Sequence, residues 1–143
     1  MIFCGQTIHP GEQKEILVPA DKNLSLKALC FCGSRTGKTL VLTAGVHGCE
    51  YVGVESLKRL ARILNPCEMT GNAVLLPLAN PSGFFSGTKR TVPEDGINLN
   101  RAFPGNSGGS LSARLAWALE QALYPAADLL ADLHSGDADE ALS

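Results

Sequence analysis

The sequence has 143 residues, of which 45% are hydrophobic, so it fits a single domain over residues 1–143 with a sizeable core. With 12 basic and 14 acidic residues it carries a formal charge of −2 and no basic run, which argues against nucleic-acid and anionic-membrane partners. No segment approaches the roughly 18 apolar residues of a membrane span. We therefore expect a cytoplasmic protein with a small-molecule partner. Its five cysteines are scattered along the sequence, and we expect them to be free thiols that are mostly buried.

The first part of the chain predicts strands followed by a helix. Strands are predicted at residues 16–18, 24–32 and 39–46, with a turn at residues 33–37. The third run, TLVLTAGV, is almost continuously apolar, which is typical of a strand buried on both faces of a mostly parallel sheet. From Tyr51 onward apolar residues recur at spacings of three and four, which indicates an amphipathic helix that ends at Asn65-Pro66.

The second part predicts a further strand, a long irregular segment and a helix. Residues 73–79 are strand-like, although Pro77 argues for a strand end or an edge there. Residues 80–109 are rich in Gly, Pro and Asn without periodicity, which favours a functional segment. Ser110 or Ser112 can cap a helix, and residues 126–133 lead into His134. This order predicts an α/β sheet with helices on its faces.

The segment GSRTGKT, residues 33–39, superficially resembles a nucleotide-binding phosphate loop. Only three residues separate its two glycines, whereas that loop needs four. A strand is predicted after it instead of a helix, so no helix N-terminus would meet the phosphates. We therefore do not expect nucleotide binding.

His47, Glu50 and His134 are candidate metal ligands. His47 and Glu50 follow one predicted strand and His134 follows another, and ligands bind beyond the carboxyl ends of strands in open α/β sheets. Two histidines and one carboxylate, with a fourth position open for water, form the ligand set of a catalytic zinc site. The alternative is a chance HxxE pair beside a histidine that only makes surface hydrogen bonds. On spacing and position alone, both interpretations stay open.

Three sequence blocks carry a resemblance to a known family. TAGVHGCEYVGVESLKRL resembles a TAGxHGxE signature, INLNRAFPG resembles DLNRxFPG, and ADLHSG matches DLHxG, in that order along the chain. Together they resemble the succinylglutamate desuccinylase/aspartoacylase family over nearly the whole sequence. The resemblance implies a zinc carboxypeptidase-like α/β fold, with a mixed, mostly parallel sheet and helices on both faces. It also implies one Zn²⁺ per chain, held by His47, Glu50 and His134.

The resemblance implies roles for four further residues. Asn100 and Arg101 would bind the substrate carboxylate, for which a forked guanidinium and an amide are suited. Arg90 would stabilise the oxyanion of the scissile amide, with the adjacent Lys89 as the alternative. Asn98 stands where the family has an aspartate that orients the first zinc histidine, so a neutral acceptor and weaker metal binding are expected.

The sequence departs from the family after His134. The family places its catalytic glutamate well downstream, and no residue here aligns with it. Asp137, Asp139 and Glu140 are nearby carboxylates, but we expect them to form a solvated tail. We therefore expect a partial domain, incomplete at the C-terminus, whose exposed sheet edge predicts poor solubility or self-association.

Three classes of function follow from the resemblance. The first is a deacylase that hydrolyses the amide bond of an N-acyl amino acid or a related small carboxylate. The second is a carboxypeptidase-like peptidase acting on short peptides. The third is a non-catalytic metal- or carboxylate-binding remnant, which the unmatched glutamate favours.

Overall fold

The structure is a computed structural model that describes residues 1–136. It is organised around a five-stranded sheet. A small hairpin of β1 (Ile2–Phe3) and β2 (Gln6–Thr7) precedes this sheet. The sheet contains β3 (Gln13–Asp21), β4 (Leu24–Cys32), β5 (Arg35–Ala44), β6 (Thr70–Leu76) and β7 (Leu129–Leu133). The α-helices of the described range are α1 (Tyr51–Ile63), α2 (Pro81–Ser86) and α3 (Leu111–Leu123). Across residues 1–136, no helix has both the length and the apolar character that a bilayer span requires.

The strand order is β3-β4-β6-β5-β7. β4 pairs antiparallel with both β3 and β6, whereas β5 pairs parallel with both β6 and β7. Among the described strands of this sheet, only β4 therefore runs against the rest. The expected mixed, mostly parallel sheet is confirmed.

Of the strands predicted from the sequence, β4 has the predicted bounds, whereas β3, β5 and β6 each begin three or four residues earlier than predicted. β4 covers the predicted residues, and β6 ends directly before Pro77, which has no N–H to donate to a neighbouring strand. The turn predicted at residues 33–37 was too long, because β5 already begins at Arg35. Strand rather than helix therefore follows Gly33, which agrees with the rejection of a phosphate loop.

Each face of the sheet is covered by one long helix. On one face, α3 packs through Leu115, Leu119 and Leu123 onto alternate residues of the central strands, among them Cys30, Val41 and Val74. On the other face, α1 packs through Val54 and Leu57 onto Phe31, Ala44 and Leu75. Because successive strand residues point to opposite faces, the central strands serve both clusters. Their almost continuous apolar sequence follows from this double burial.

All five cysteines are thiols rather than parts of disulfides, as expected, but fewer are buried than predicted. Only Cys30 and Cys32 are buried, whereas Cys4 and Cys67 are exposed and Cys49 is half-buried. Burial, together with the neighbouring Cys4, raises the pKa of the Cys30 thiol to about 12. This thiol therefore behaves as a small apolar core group.

Helix α2 lies within the segment that was predicted to be irregular. The Asn80 side chain caps it by accepting a hydrogen bond from the Gly83 N–H, and Pro81 occupies its first turn. Gly87 ends it in the left-handed conformation, with φ of 65°. An Asn-Pro start and a Gly stop are ordinary helix signals. They were overlooked because a helix this short has no apolar periodicity.

The capping of α3 also differs from the prediction. Ser110 occupies the N-cap position, but neither it nor Ser112 caps the helix through its side chain. Instead, the Asp95 carboxylate accepts a hydrogen bond from the Ser112 N–H at 2.8 Å and another from the Ile97 N–H at 3.0 Å. A carboxylate at a helix N-terminus also interacts favourably with the helix dipole. Asp95 therefore ties the segment before α3 to the start of that helix.

Burial acts to raise the pKa of Asp95, but the hydrogen bonds from Ser112 and Ile97 outweigh it and lower the pKa to about 2, from an ordinary 3.8. The contribution of Asp95 to stability is therefore present above pH 4 and is lost as the pH falls through about 2.

We expect Asp95→Asn to lower the free energy of unfolding by about 1 kcal/mol at pH 7. Urea unfolding measured between pH 7 and pH 2 checks this, and the difference from wild type should shrink below pH 4. An equal difference at both ends of the range would contradict the assignment.

Candidate metal centre

The three predicted ligands lie on two loops at one edge of the sheet. Ala44 of β5 pairs with Leu133 of β7, so these parallel strands end side by side. His47 lies in the loop after β5, and His134 directly follows β7. The loop after β5 turns at Gly45, whose φ of 67° lies in the left-handed region that favours glycine. The fold thus brings the two histidines together, although they are far apart in sequence.

Glu50 stands at the N-cap position of α1, but it does not cap that helix. Its carboxylate lies between the two histidines instead. One carboxylate oxygen, Oε1, is 2.7 Å from His47 Nδ1, and the other, Oε2, is 2.7 Å from His134 Nδ1. The imidazole centroids are 5.0 Å apart. Since Glu50 is only 7% exposed, these contacts satisfy a buried charged group that would otherwise be costly to bury.

Each imidazole has a further partner on its outer nitrogen. The Asn98 oxygen Oδ1 lies 3.2 Å from His47 Nε2, and the Asp132 oxygen Oδ2 lies 2.7 Å from His134 Nε2. An acceptor at Nε2 holds the ring proton there and leaves the Nδ1 lone pair free for a ligand. Both Nδ1 atoms point inward, on either side of the Glu50 carboxylate, and each would become an electron-pair donor if a metal ion took the place of its hydrogen bond to Glu50.

Asp132 was not among the predicted site residues. Its second carboxylate oxygen accepts a hydrogen bond from the Thr43 hydroxyl of β5 at 2.7 Å, so its orientation is fixed from both sides. A signal was present in the sequence, because residues two apart on a strand point to the same side. The pattern Asp132-Leu133-His134 thus places a carboxylate beside the histidine.

The surroundings of His134 favour its protonated form. Burial acts to lower its pKa, but the charges and hydrogen bonds of Asp132 and Glu50 outweigh burial and raise the pKa above its ordinary value. The same negative surroundings would favour a bound cation. The negative charges of Asp132 and Glu50 thus suit a site that binds a positive ion.

The donor set fits a divalent metal ion. One ligand atom from each of His47, Glu50 and His134 lies within 4.8 Å of the others. A tetrahedral zinc ion, with bonds of about 2.0–2.1 Å, needs ligand atoms roughly 3.3 Å apart. Glu50 is already in hydrogen-bond contact with both histidines, so the three side chains are close enough to share one ion. Two imidazoles and a carboxylate suit Zn²⁺.

Asn100 and Arg101 lie on a short 3₁₀ turn, Leu99–Arg101, which follows Asn98. The side chain of Asn98 accepts a hydrogen bond from the Asn100 N–H at 2.9 Å while it faces His47. Asn100 also lines a cavity of about 290 Å³ that Thr43 and Asp132 border. Both Asn100 and Arg101 are exposed. The predicted carboxylate-binding pair is therefore adjacent to the metal centre and open to solvent.

Arg90 lies in the loop that follows α2, and it is exposed. The carbonyl oxygen of the preceding Lys89 accepts a hydrogen bond from the Cys49 thiol at 3.2 Å. Because Cys49 directly precedes Glu50, this contact holds the Lys89-Arg90 loop against the metal-centre loop. The structure thus brings Arg90 into the neighbourhood of the site.

We expect Asp132→Asn to weaken Zn²⁺ binding by about tenfold or more, because removing a charged partner makes the His134 imidazole a poorer ligand. Competition with a chromophoric chelator at pH 7 measures the dissociation constant. Asp128→Asn is the matched control, because Asp128 precedes the same strand but binds Lys38 and the Thr39 N–H. Equal losses of affinity in the two variants would contradict the role of Asp132.

The sequence is similar to that of known proteins. The sequence model of the succinylglutamate desuccinylase/aspartoacylase catalytic domain matches residues 36–142. Over 100 residues, or 70% of the chain, the sequence is 40% identical to the N-alpha-acetyl-L-2,4-diaminobutyric acid deacetylase of Halomonas elongata, of which it covers 29%.

Solved structures share the fold. An aspartoacylase family protein from Mesorhizobium loti matches 88% of the chain with a TM-score of 0.76 and 37% identity, and 41% of that protein is covered. The product-bound ectoine utilization protein EutE (DoeB) from Ruegeria pomeroyi matches 87% with a TM-score of 0.75 and 30% identity, and 40% of it is covered. The chain thus spans less than half the length of these relatives. It belongs to the succinylglutamate desuccinylase/aspartoacylase family.

Proposed function

We propose that this chain is the metal-binding part of a zinc-dependent deacylase that hydrolyses the amide bond of an N-acyl amino acid or a related small carboxylate. The observation that carries the proposal is the buried Glu50 carboxylate between the Nδ1 atoms of His47 and His134. Membership of a family named for a desuccinylase and an aspartoacylase supports the type of reaction. The 40% identical Halomonas deacetylase supports an N-acetylated amino acid as the class of substrate.

The chain's own residues would orient the substrate. A Zn²⁺ ion held by His47, Glu50 and His134 would supply Lewis acidity and a water of lowered pKa. Asn100 and Arg101, on the turn beside the centre, would bind the substrate carboxylate through an amide and a guanidinium fork. Arg90, whose loop contacts the residue before Glu50, would stabilise the negative charge that develops on the carbonyl oxygen.

A general base is also needed for proton transfer. The two carboxylates that contact the histidines, Glu50 and Asp132, are both engaged in holding imidazoles. Neither is therefore our candidate for the base. The other carboxylates considered from the sequence, Asp137, Asp139 and Glu140, lie outside the described residues.

A second candidate is metal binding without catalysis. The engagement of both site carboxylates with imidazoles favours it, because neither carboxylate is then available as a general base. In that case the chain would bind Zn²⁺ and a small carboxylate, but it would not hydrolyse an amide. A carboxypeptidase-like activity on short peptides is the third alternative. The substrate assay described below distinguishes it from the other two.

Zinc content and substrate turnover test the proposal together. We expect one Zn²⁺ per wild-type chain after exhaustive dialysis, and loss of that zinc in both His47→Ala and His134→Ala, since each removes one of three ligands. Elemental analysis measures the metal. Wild type without bound zinc, or zinc that both substitutions leave in place, would contradict the metal centre.

The zinc-loaded chain is then assayed with N-acetyl-2,4-diaminobutyrate, N-succinylglutamate and N-acetylaspartate beside short peptides. Turnover of the N-acyl amino acids supports the deacylase, and turnover of the peptides alone supports the peptidase. Stoichiometric zinc without any turnover supports the non-catalytic candidate. Arg101→Lys is an informative variant, because losing the guanidinium fork should raise KM for any substrate bound through its carboxylate.

A further inference from the structure

Asn80 carries a fully buried side-chain amide. It lies between the loop that holds His47 and the segment that runs from Thr91 to Asn98. It is 0% exposed and follows β6, close to the loop that carries His47. The hydrogen-bond partners of its side chain are Val46, Thr91, Ser82 and Gly83 rather than the metal-ligand candidates, and no function of the site described so far uses it. A buried amide with all of its hydrogen-bonding positions engaged is costly to replace.

The oxygen of the Asn80 side chain serves helix α2. It accepts a hydrogen bond from the Gly83 N–H at 3.0 Å and another from the Ser82 hydroxyl at 3.3 Å. This half of the amide is a local helix cap, which many residues could provide. The cap alone therefore does not explain why an amide stands here.

The nitrogen of the same side chain joins two segments that are distant in sequence. It donates one hydrogen bond to the Val46 carbonyl and one to the Thr91 carbonyl, both at 3.3 Å. Val46 directly precedes His47. Thr91 forms an antiparallel bridge with Asn98. The two segments thus meet once at the Asn80 amide and again where His47 Nε2 faces Asn98 Oδ1 at 3.2 Å.

Close backbone packing strengthens this connection. The backbone N–H of Asn80 donates to the Gly45 carbonyl at 2.9 Å, beside the turn that leads to His47. A Cβ atom at Gly48 would collide with the carbonyl of Gly83, and a Cβ atom at Gly83 would collide with the Asn80 amide itself. The loop with His47, the first turn of α2 and Asn80 are therefore packed without space for a side chain between them.

We propose that Asn80 is a positioning residue for the metal centre, which sets the distance between the His47 loop and the Asn98 segment. The inference rests on the metal centre of the proposed function. Because Asn98 holds the His47 ring through Nε2, a shift of either segment changes how the Nδ1 lone pair points at the ion. Asn80 thus acts on the metal through Asn98 and His47, without touching it.

The test uses Asn80→Ser in the full chain. Serine can keep the α2 cap through its hydroxyl, but it cannot donate to both the Val46 and Thr91 carbonyls. We expect the Zn²⁺ dissociation constant to rise about tenfold, in the range seen for partners that orient metal ligands. Chelator competition measures affinity, and circular dichroism with urea unfolding measures the folded fraction. A residue that is only structural would change unfolding and leave the zinc affinity of the folded chain unaltered.

Asn72→Ser is the matched control. Asn72 lies on β6 and donates through its amide to the Thr39 hydroxyl at 3.1 Å, near the opposite end of the strand from Asn80. It should therefore leave zinc affinity unchanged. A dissociation constant for Asn80→Ser equal to that of wild type or Asn72→Ser would overturn the proposal, whereas absence of zinc from the wild type would contradict the metal centre itself.

A double-substitution cycle with Asn98→Ala tests the route. If Asn80 acts through Asn98, Asn80→Ser should cost clearly less zinc affinity in the Asn98→Ala background than in wild type. Fully additive losses would overturn this route. Should Asn80→Ser fail to fold, Thr88→Val replaces it, because the Thr88 hydroxyl also holds the Thr91 carbonyl, at 2.7 Å. An unchanged zinc affinity in Thr88→Val would then count against the proposal.

Discussion

The buried carboxylate of Glu50 is the group on which the arrangement of the site depends. A carboxylate that is 7% exposed needs charged or strongly polar partners, and here the partners are two imidazoles from different loops. Both loops reach it because β5 and β7 are parallel neighbours that end at the same level. Helix α1 starts at the next residue, so the position of Glu50 is also set by the packing of that helix on the sheet. The strand order and the packing of α1 on the sheet therefore together fix where Glu50 and the two histidines meet.

Much of this arrangement could be predicted from local sequence. β4 and α1 have strong periodicities, of two and of three to four residues, and their observed bounds match the pattern closely. The three metal-ligand candidates were predictable because each one follows an apolar strand, and parallel strands bring such positions to one edge. The structure places these three residues in contact, and it places Asn98 against His47 as expected. Their roles in chemistry stay predictions.

The remaining features depend on contacts between segments that are distant in sequence. Asp95 caps α3 from across a loop, although two serines stand closer to the helix start. Nothing in the residues around Asn80 indicates that its amide will reach both Val46 and Thr91. Short helices such as α2 have too few turns for periodicity to detect, so only their end residues could have indicated them. Sequence patterns thus predicted much of the secondary structure, but they could not predict the hydrogen bonds between loops that are distant in sequence.

The position of His134 gives a bound ion an effect on the sheet itself. In the described part of the chain β7 pairs with β5, and Leu129 at its start is 64% exposed. An ion shared by Glu50 and His134 would link residues 84 positions apart and close a long loop, which restricts the unfolded chain. Binding that requires the docked strand stabilises it in proportion to the logarithm of the free metal concentration. The centre would then tie β7 to the start of α1, so that metal supply governs how firmly this strand is held as well as any chemistry performed there.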